Sequence, residues 1–206
     1  MRGKRWFLLA GLSLLGLSGT GQIVKALDAD PGTTQVALVR WRGGSFPVEN
    51  FQAYTSAYGY RLSATGGYST EMHRGLDLAA PEGSFIRSWW AGKVIEVSDD
   101  SGCGTSVVVQ SGNWTHIYCH MQGYAGRDLR GRYVNSGGVW VREGQKITAG
   151  DRIGRVGMTG RTTGPHLHWG LKYAEQWVNP AVVLRAMYAA QSPTQTISRQ
   201  PELDNQ

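Results

Sequence analysis

The sequence predicts an all-β fold: a partly open β-barrel or sandwich of antiparallel sheets with one C-terminal helix. Three observations carry this. The 206 residues include 29 glycines but only 7 prolines, a balance that suits many tight turns. Short runs rich in Val, Ile, Thr, Trp and Tyr recur, with turn residues between them about every eight to twelve positions. Only one segment, 178–190, places apolar residues (Val182, Val183, Ala186, Met187) at helical spacing. The length and the 41% hydrophobic content suit one globular domain with appendages.

The chain opens with a charged head, Arg2, Lys4 and Arg5, and an apolar run from Trp6 to Leu17. Val24-Lys25-Ala26 offers small or apolar residues at −3 and −1, so residues 1–26 read as an export signal cleaved after Ala26. The apolar run falls short of the ~20 residues that cross a bilayer, so no stable membrane span is expected after cleavage. A retained anchor is the alternative. No Cys lies near, so a lipid-attached form is not indicated. The expected destination is the periplasm, the cell wall or the exterior. The formal charge of +6 is concentrated in this leader. Without residues 1–26, 17 Lys and Arg face 15 Asp and Glu, and a nucleic-acid partner loses its main support.

Residues 27–45 read as an extended lead-in, and 46–190 as the folded domain. Within it, Gly59 between Tyr58 and Tyr60 marks a turn or a close backbone approach. Residues 62–70 form a polar, Gly-rich loop. In His73-Arg74-Gly75-Leu76-Asp77, the spacing of four puts His73 and Asp77 on one face of a helix or a strand, while Gly75 and Pro81 argue against a helix. Ala91-Gly92 separates two strands within 85–97, and 98–104 is a polar loop. Strands follow at 105–110 and 114–121. In the second, His116, Tyr118 and His120 alternate onto one face. Residues 124–138 read as a long polar loop rich in Gly and Arg. Glu143-Gly144 and Ala149-Gly150 turns punctuate 139–153, and 154–164 reads as a flexible loop leading to His166. Asn179-Pro180 supplies a cap and a first-turn proline for the helix. Residues 191–206 read as a disordered tail. Cys103 and Cys119 lie symmetrically about a Ser111-Gly112 hairpin turn, which predicts a disulfide in an exported protein.

The chemistry centres on Gly164-Pro165-His166-Leu167-His168-Trp169. Residues i and i+2 of a strand share a face, so the two imidazoles project side by side. All five histidines, His73, His116, His120, His166 and His168, fall in or beside strand-like segments. A catalytic zinc takes three protein ligands and keeps a position open for water. His73, Asp77 and one of the 166/168 pair supply such a set, with histidines left over to handle protons. No Gly-x-Ser-x-Gly elbow and no phosphate loop is present. A biotinyl- or lipoyl-type carrier hairpin with an exposed Lys is likewise missing. Trp89, Trp90, Trp114, Trp140, Trp169 and Trp177 are candidates for groove lining, two or three of them at most, since an aromatic in a β-domain is more often core.

The run 46–180 resembles a lysostaphin-like, LytM-type zinc endopeptidase domain. The family's His-x-x-x-Asp motif matches His73 and Asp77, and its His-x-His motif matches His166 and His168. Its Tyr-x-His matches Tyr118-Cys119-His120, and its upstream Ser-x-aromatic-Gly-x-Arg matches Ser56 to Arg61. The resemblance implies one Zn2+ held by His73, Asp77 and His168, with His120 and His166 as catalytic residues beside it. It implies peptide cross-links of bacterial peptidoglycan as substrate. A non-catalytic, wall-binding or hydrolase-activating member of the same fold is the alternative, against which all five expected positions are retained. Residues 124–138 exceed the family's usual link, and His116 is additional. His116 either extends a proton path or stands as an outer-face or supporting histidine, the reading favoured here. Which peptide bond is cut, a glycine bridge or a D-amino-acid cross-link, stays open.

Overall fold

A computed structural model describes residues 41–63, 66 and 68–192. The expected signal at 1–26, most of the lead-in and nearly all of the C-terminal tail lie outside the described residues. Among the described residues no helix is long and apolar enough to cross a membrane.

The fold is mostly β, antiparallel throughout, with no closed barrel. Its main sheet runs in the order β1 (Ala53–Ser56), β4 (Leu76–Ala79), β14 (His166–Tyr173), β8 (Trp114–Met121), β7 (Thr105–Ser111), β6 (Gly92–Ser98) and β12 (Lys146–Ile147). β15 (Gln176–Val178) pairs with β14. Two small sheets pair β2 (Gly59–Leu62) with β3 (Thr70–His73), and β5 (Phe85–Arg87) with β13 (Arg152–Arg155).

Alternation along β14 sorts the main sheet into two faces. Leu167 pairs with Leu78, Trp169 with Leu76 and Tyr118, and Leu171 with His116. These side chains are buried and join Val107 and Val109 in the core. The intervening residues give the other face: His168 lies opposite Asp77 and Cys119, and His166 opposite Ala79. One strand therefore packs the interior and presents the imidazoles.

The helix α1 (Pro180–Gln191) forms as expected, with Pro180 in its first turn and the Asn179 side chain accepting from the Ala181 amide at 3.0 Å. Val183, Leu184, Met187 and Ala190 are buried. The end of the lead-in is not extended. Residues 41–44 turn back, with the Gly44 N–H donating to the Trp41 carbonyl, and dock on α1 through Arg42 Nε to the Ala190 carbonyl and Gln191 Nε2 to the Gly44 carbonyl. Trp41 completes an aromatic cluster with Trp89, Trp90 and Trp114.

One loop expectation is corrected and a second holds. Residues 124–138 are not a loop but the hairpin β9 (Tyr124–Asp128) and β10 (Gly131–Ser136), extended by β11 (Val139–Arg142) into a three-stranded sheet. Its polarity misled because its buried side is narrow, essentially Val134, Ser136 and Val141. Its charges pair on the surface, as Arg142 does with Asp128. The segment after β13 is a loop but a tethered one. Thr159 Oγ1 donates to the Met121 carbonyl and accepts from the Thr105 amide, and the Arg161 amide donates to the Gly102 carbonyl at 2.8 Å. Gly104 and Gly160 both take positive φ here, and each passes so close to the other's segment that no Cβ fits.

Candidate metal centre and catalytic groove

His73 ends β3 and Asp77 lies in β4, so the pair does not ride one continuous strand. The chain breaks at Arg74-Gly75 and the two side chains converge from neighbouring elements. His168 joins them from β14. His73 Nε2 lies 3.0 Å from Asp77 Oδ1 and 2.9 Å from His168 Nδ1, and His168 Nδ1 lies 2.8 Å from Asp77 Oδ1. Ligand atoms of the three all fall within 4.8 Å of one another.

The surroundings fix which atoms face inward. His73 Nδ1 sits 2.7 Å from the Ala57 carbonyl, which can only accept, so Nδ1 carries the proton and Nε2 turns a lone pair toward Asp77. Arg61 Nη1 donates to Asp77 Oδ2 at 3.1 Å, leaving Oδ1 for the centre. Burial works against ionisation of Asp77. When His168 and His73 are protonated toward it, their hydrogen bonds and charges outweigh burial and hold the carboxyl well below the usual range; with both rings neutral the inward nitrogens are lone pairs. Burial also lowers the His168 pKa, against the pull of Asp77. Two imidazole nitrogens and a carboxylate oxygen thus crowd one point, an arrangement that repels itself unless a cation sits between them. One O and two N donors with a polar opening suit zinc.

Gly75 makes this crowding feasible. A Cβ there would stand 2.5 Å from His168 Nε2 and 3.0 Å from the Trp169 carbonyl oxygen. In the sequence Gly75 argues only against a helix. Its true constraint is the ring packed on it.

His120 and His166 flank the centre. His120 Nδ1 donates to the Thr159 carbonyl at 2.9 Å, and His166 Nδ1 to the Gly164 carbonyl at 2.8 Å. Each therefore keeps an Nε2 lone pair, and the two ring centroids are 4.9 Å apart. His166 Nε2 is 3.6 Å from Asp77 Oδ1. Burial pushes the His120 pKa down to about 4, partly opposed by its bond to Thr159, so the ring is neutral at pH 7.

The expectation that His116, Tyr118 and His120 share a face fails. Across from β7, Thr105 pairs with Met121 but Val107 pairs with Tyr118, so β8 carries one extra residue. His120 takes φ +59° within this β-bulge, and its ring turns from the core face to meet His166 and His168. The disulfide Cys103–Cys119, with Cα atoms 4.9 Å apart, ties the 99–104 loop to the residue before His120, and the His120 amide donates to the Cys103 carbonyl at 2.8 Å.

His116 stays behind in the core, fully buried. The Trp89 amide donates to Tyr118 Oη, which donates to His116 Nδ1. His116 Nε2–H reaches Ser111 Oγ, which donates to the Ala91 carbonyl. Every partner is satisfied with a neutral ring, and burial takes the His116 pKa down to about 3. It is neither an outer-face residue nor part of a path to the centre.

The groove over the centre, about 500 Å³, is lined in part by β3, the Gly102-Cys103 turn and the 161–163 loop, and among the described residues no Trp lines it. Nor, among the described residues, does any residue of 124–138.

Comparison with known proteins accords with this geometry. Residues 71–180 match peptidase family M23. The chain belongs to this family. The M23 chain is 32% identical over 162 residues to the peptidoglycan DD-endopeptidase ShyA of Vibrio cholerae, covering 77% of this chain and 34% of that relative. Among solved structures it is similar to the catalytic domain of the prophage-encoded M23 protein EnpA from Enterococcus faecalis, with TM-score 0.51 and 31% identity, covering 68% and 95% of the two chains. It is also similar to a zinc-containing peptidase from Vibrio cholerae, with TM-score 0.55 and 25% identity, covering 74% and 40%. The chain spans about a third of the length of the curated relatives it matches.

Proposed function

We propose that this chain is a zinc-dependent endopeptidase that hydrolyses peptide cross-links of bacterial peptidoglycan outside the cytoplasm. The observation that carries the reading is the convergence of His73 Nε2, Asp77 Oδ1 and His168 Nδ1 beside two imidazoles whose Nε2 atoms are left free. The similarity to ShyA, a peptidoglycan DD-endopeptidase, and to a zinc-containing peptidase supports it.

His73, Asp77 and His168 would hold the zinc, which when bound would supply a Lewis acid for the scissile carbonyl and the attacking water. Arg61 fixes the Asp77 carboxylate and Ala57 fixes the His73 tautomer. His120 and His166 act as the proton carriers. A neutral Nε2 takes the proton from water as the new C–O bond forms, and the resulting imidazolium passes it to the leaving amine as the C–N bond breaks. Retention of both imidazoles argues against the non-catalytic alternative.

The test is digestion of purified peptidoglycan, with released fragments identified by mass spectrometry. The chain as purified, the chain stripped by chelator and reloaded with zinc, and Asp77→Ala are compared. Peptide-bond cleavage that is lost on stripping, restored by zinc and absent in Asp77→Ala is expected. Unchanged cleavage with Asp77→Ala at full zinc content would falsify the ligand assignment.

A further inference from the structure

The sheet β9–β11 supplies no groove residue among those described, yet its outer side is organised. Alternation sends Val134, Ser136 and Val141 inward. The register then puts Tyr124, Asn135 and Trp140 in one row across the three strands, and Gly126, Tyr133 and Arg142 in the next. Tyr124 is 48% exposed and Trp140 52%. Tyr133 lies diagonally between them, its ring centroid 5.0 Å from Trp140 and 6.4 Å from Tyr124. Three aromatic rings therefore form one strip on a sheet face. A contiguous exposed patch of this kind marks a contact surface.

The groups around the strip are held in place. Arg142 Nη1 and Nη2 donate to Asp128 Oδ1 and Oδ2 at 2.8 and 2.7 Å, and the guanidinium lies 5.1 Å from the Tyr133 ring centroid. Asn135 Oδ1 accepts from the Gly138 amide at 3.1 Å, which fixes the side chain. Its Nδ2 has no protein partner among the described residues. Gly126 leaves room for Tyr133, since a Cβ there would stand 2.7 Å from the Tyr133 hydroxyl. The exposed Arg142–Asp128 pair is worth little to stability, so folding alone does not account for the set.

Charge decides the kind of ligand. Asp128 cancels Arg142, so this face offers no unpaired cation to a phosphate and no unpaired carboxylate to a cation. An uncharged saccharide fits it. The C–H faces of sugar rings stack on aromatic rings, while hydroxyl and acetamido groups exchange hydrogen bonds with a fixed Arg–Asp pair and a free amide N–H. Tyr124 and Trp140 flank β10 two strand spacings apart, roughly 10 Å, so a chain of sugars is needed to touch both.

We propose that the outer face of β9–β11 binds an uncharged glycan chain, stacked on Tyr124, Tyr133 and Trp140. The proposal rests on the peptidoglycan reading above only for the glycan's identity, the polysaccharide backbone that carries the peptides. It gives the chain a second hold on the wall, separate from the groove.

The test titrates the full chain with a hexamer of β-1,4-linked N-acetylglucosamine, a probe without peptide or charge, by calorimetry. Cleavage of a sugar-free cross-linked peptide is assayed separately. Saturable binding is expected, with Kd raised about threefold to tenfold by Trp140→Ala and by Tyr124→Ala, and largely kept by Trp140→Phe. Peptide cleavage and Tm should be unchanged in all three, because both side chains are half-exposed and outside the groove. No hexamer binding by the unmodified chain overturns the proposal, as does a Kd indifferent to both alanine substitutions. Uptake by phosphatidylglycerol vesicles in place of the hexamer, through Arg127 and Arg130 at the hairpin end, also overturns it. Hexamer binding without peptide cleavage would sink the endopeptidase reading and leave the glycan platform standing; cleavage without hexamer binding does the reverse.

Discussion

Gly75→Ala tests the metal centre without touching a ligand. The added methyl would sit 2.5 Å from His168 Nε2, where ordinary contact begins at 3.4 Å. The His168 ring must therefore retreat by about 1 Å, because the other near neighbour, the Trp169 carbonyl at 3.0 Å, belongs to the sheet backbone and yields less. His168 Nδ1 then leaves its place beside His73 and Asp77. A displacement of that size at a reacting centre costs on the order of 100-fold in rate, and disturbance of ligand orientation costs roughly 10–100-fold in metal affinity. Zinc affinity is measured by competition with a chromophoric chelator, and turnover on purified peptidoglycan at saturating zinc. Circular dichroism should show the fold retained. Gly75→Ala with unaltered zinc affinity and turnover would refute the argument that this glycine exists to admit the ring.

The remaining expectations are independent of that one. His166→Ala should abolish turnover while zinc content is largely kept; loss of zinc instead would make His166 a ligand in place of His168. Reducing Cys103–Cys119, which are 16 residues apart, should remove about 3 kcal/mol, or roughly 6–12 °C in Tm for a domain of this size; an unchanged Tm would count against the bridge. His116 has a folded pKa of about 3 and titrates near 6.5 when unfolded, so its neutral form stabilises fully above pH 6.5 and less as pH falls toward 3. Between pH 6.5 and pH 4.5 the loss integrates to about 2 kcal/mol. His116→Gln should flatten the stability–pH curve by about one proton over this range, even if it is less stable at pH 8. Identical slopes in denaturant titrations would show that the ring is not held neutral.

The His166/His168 pair was legible in the sequence because β14 keeps strict alternation, and alternation needs no tertiary knowledge. The helix was legible because its cap, proline and apolar stripe agree. His120 could be matched to a motif but not placed: counting by twos puts it in the core beside His116, and only the extra residue in β8 turns it outward. No residue type announced that bulge, since the positive φ falls on a histidine rather than a glycine. Arg61's role was hidden for a different reason. It reaches Asp77 from a strand in a separate small sheet, a relation set by packing and not by spacing. The β9–β11 sheet was missed because a surface layer with so few buried side chains looks, to composition, like a loop.

The alternation of β14 also forecasts how this segment tolerates change. A saturation scan across residues 166–171 should read like a barcode. Lesions at Leu167, Trp169 and Leu171 would appear as poor yield of soluble material at every assay condition. Lesions at His166 and His168 would give normal yield and dead protein. Gly170, whose added Cβ would meet the Trp177 ring at 3.2 Å and the Arg74 carbonyl at 3.3 Å, should fall between the two classes. Yield and turnover can therefore be selected separately on neighbouring codons, which makes this short stretch a place where the scaffold can be hardened without touching its chemistry.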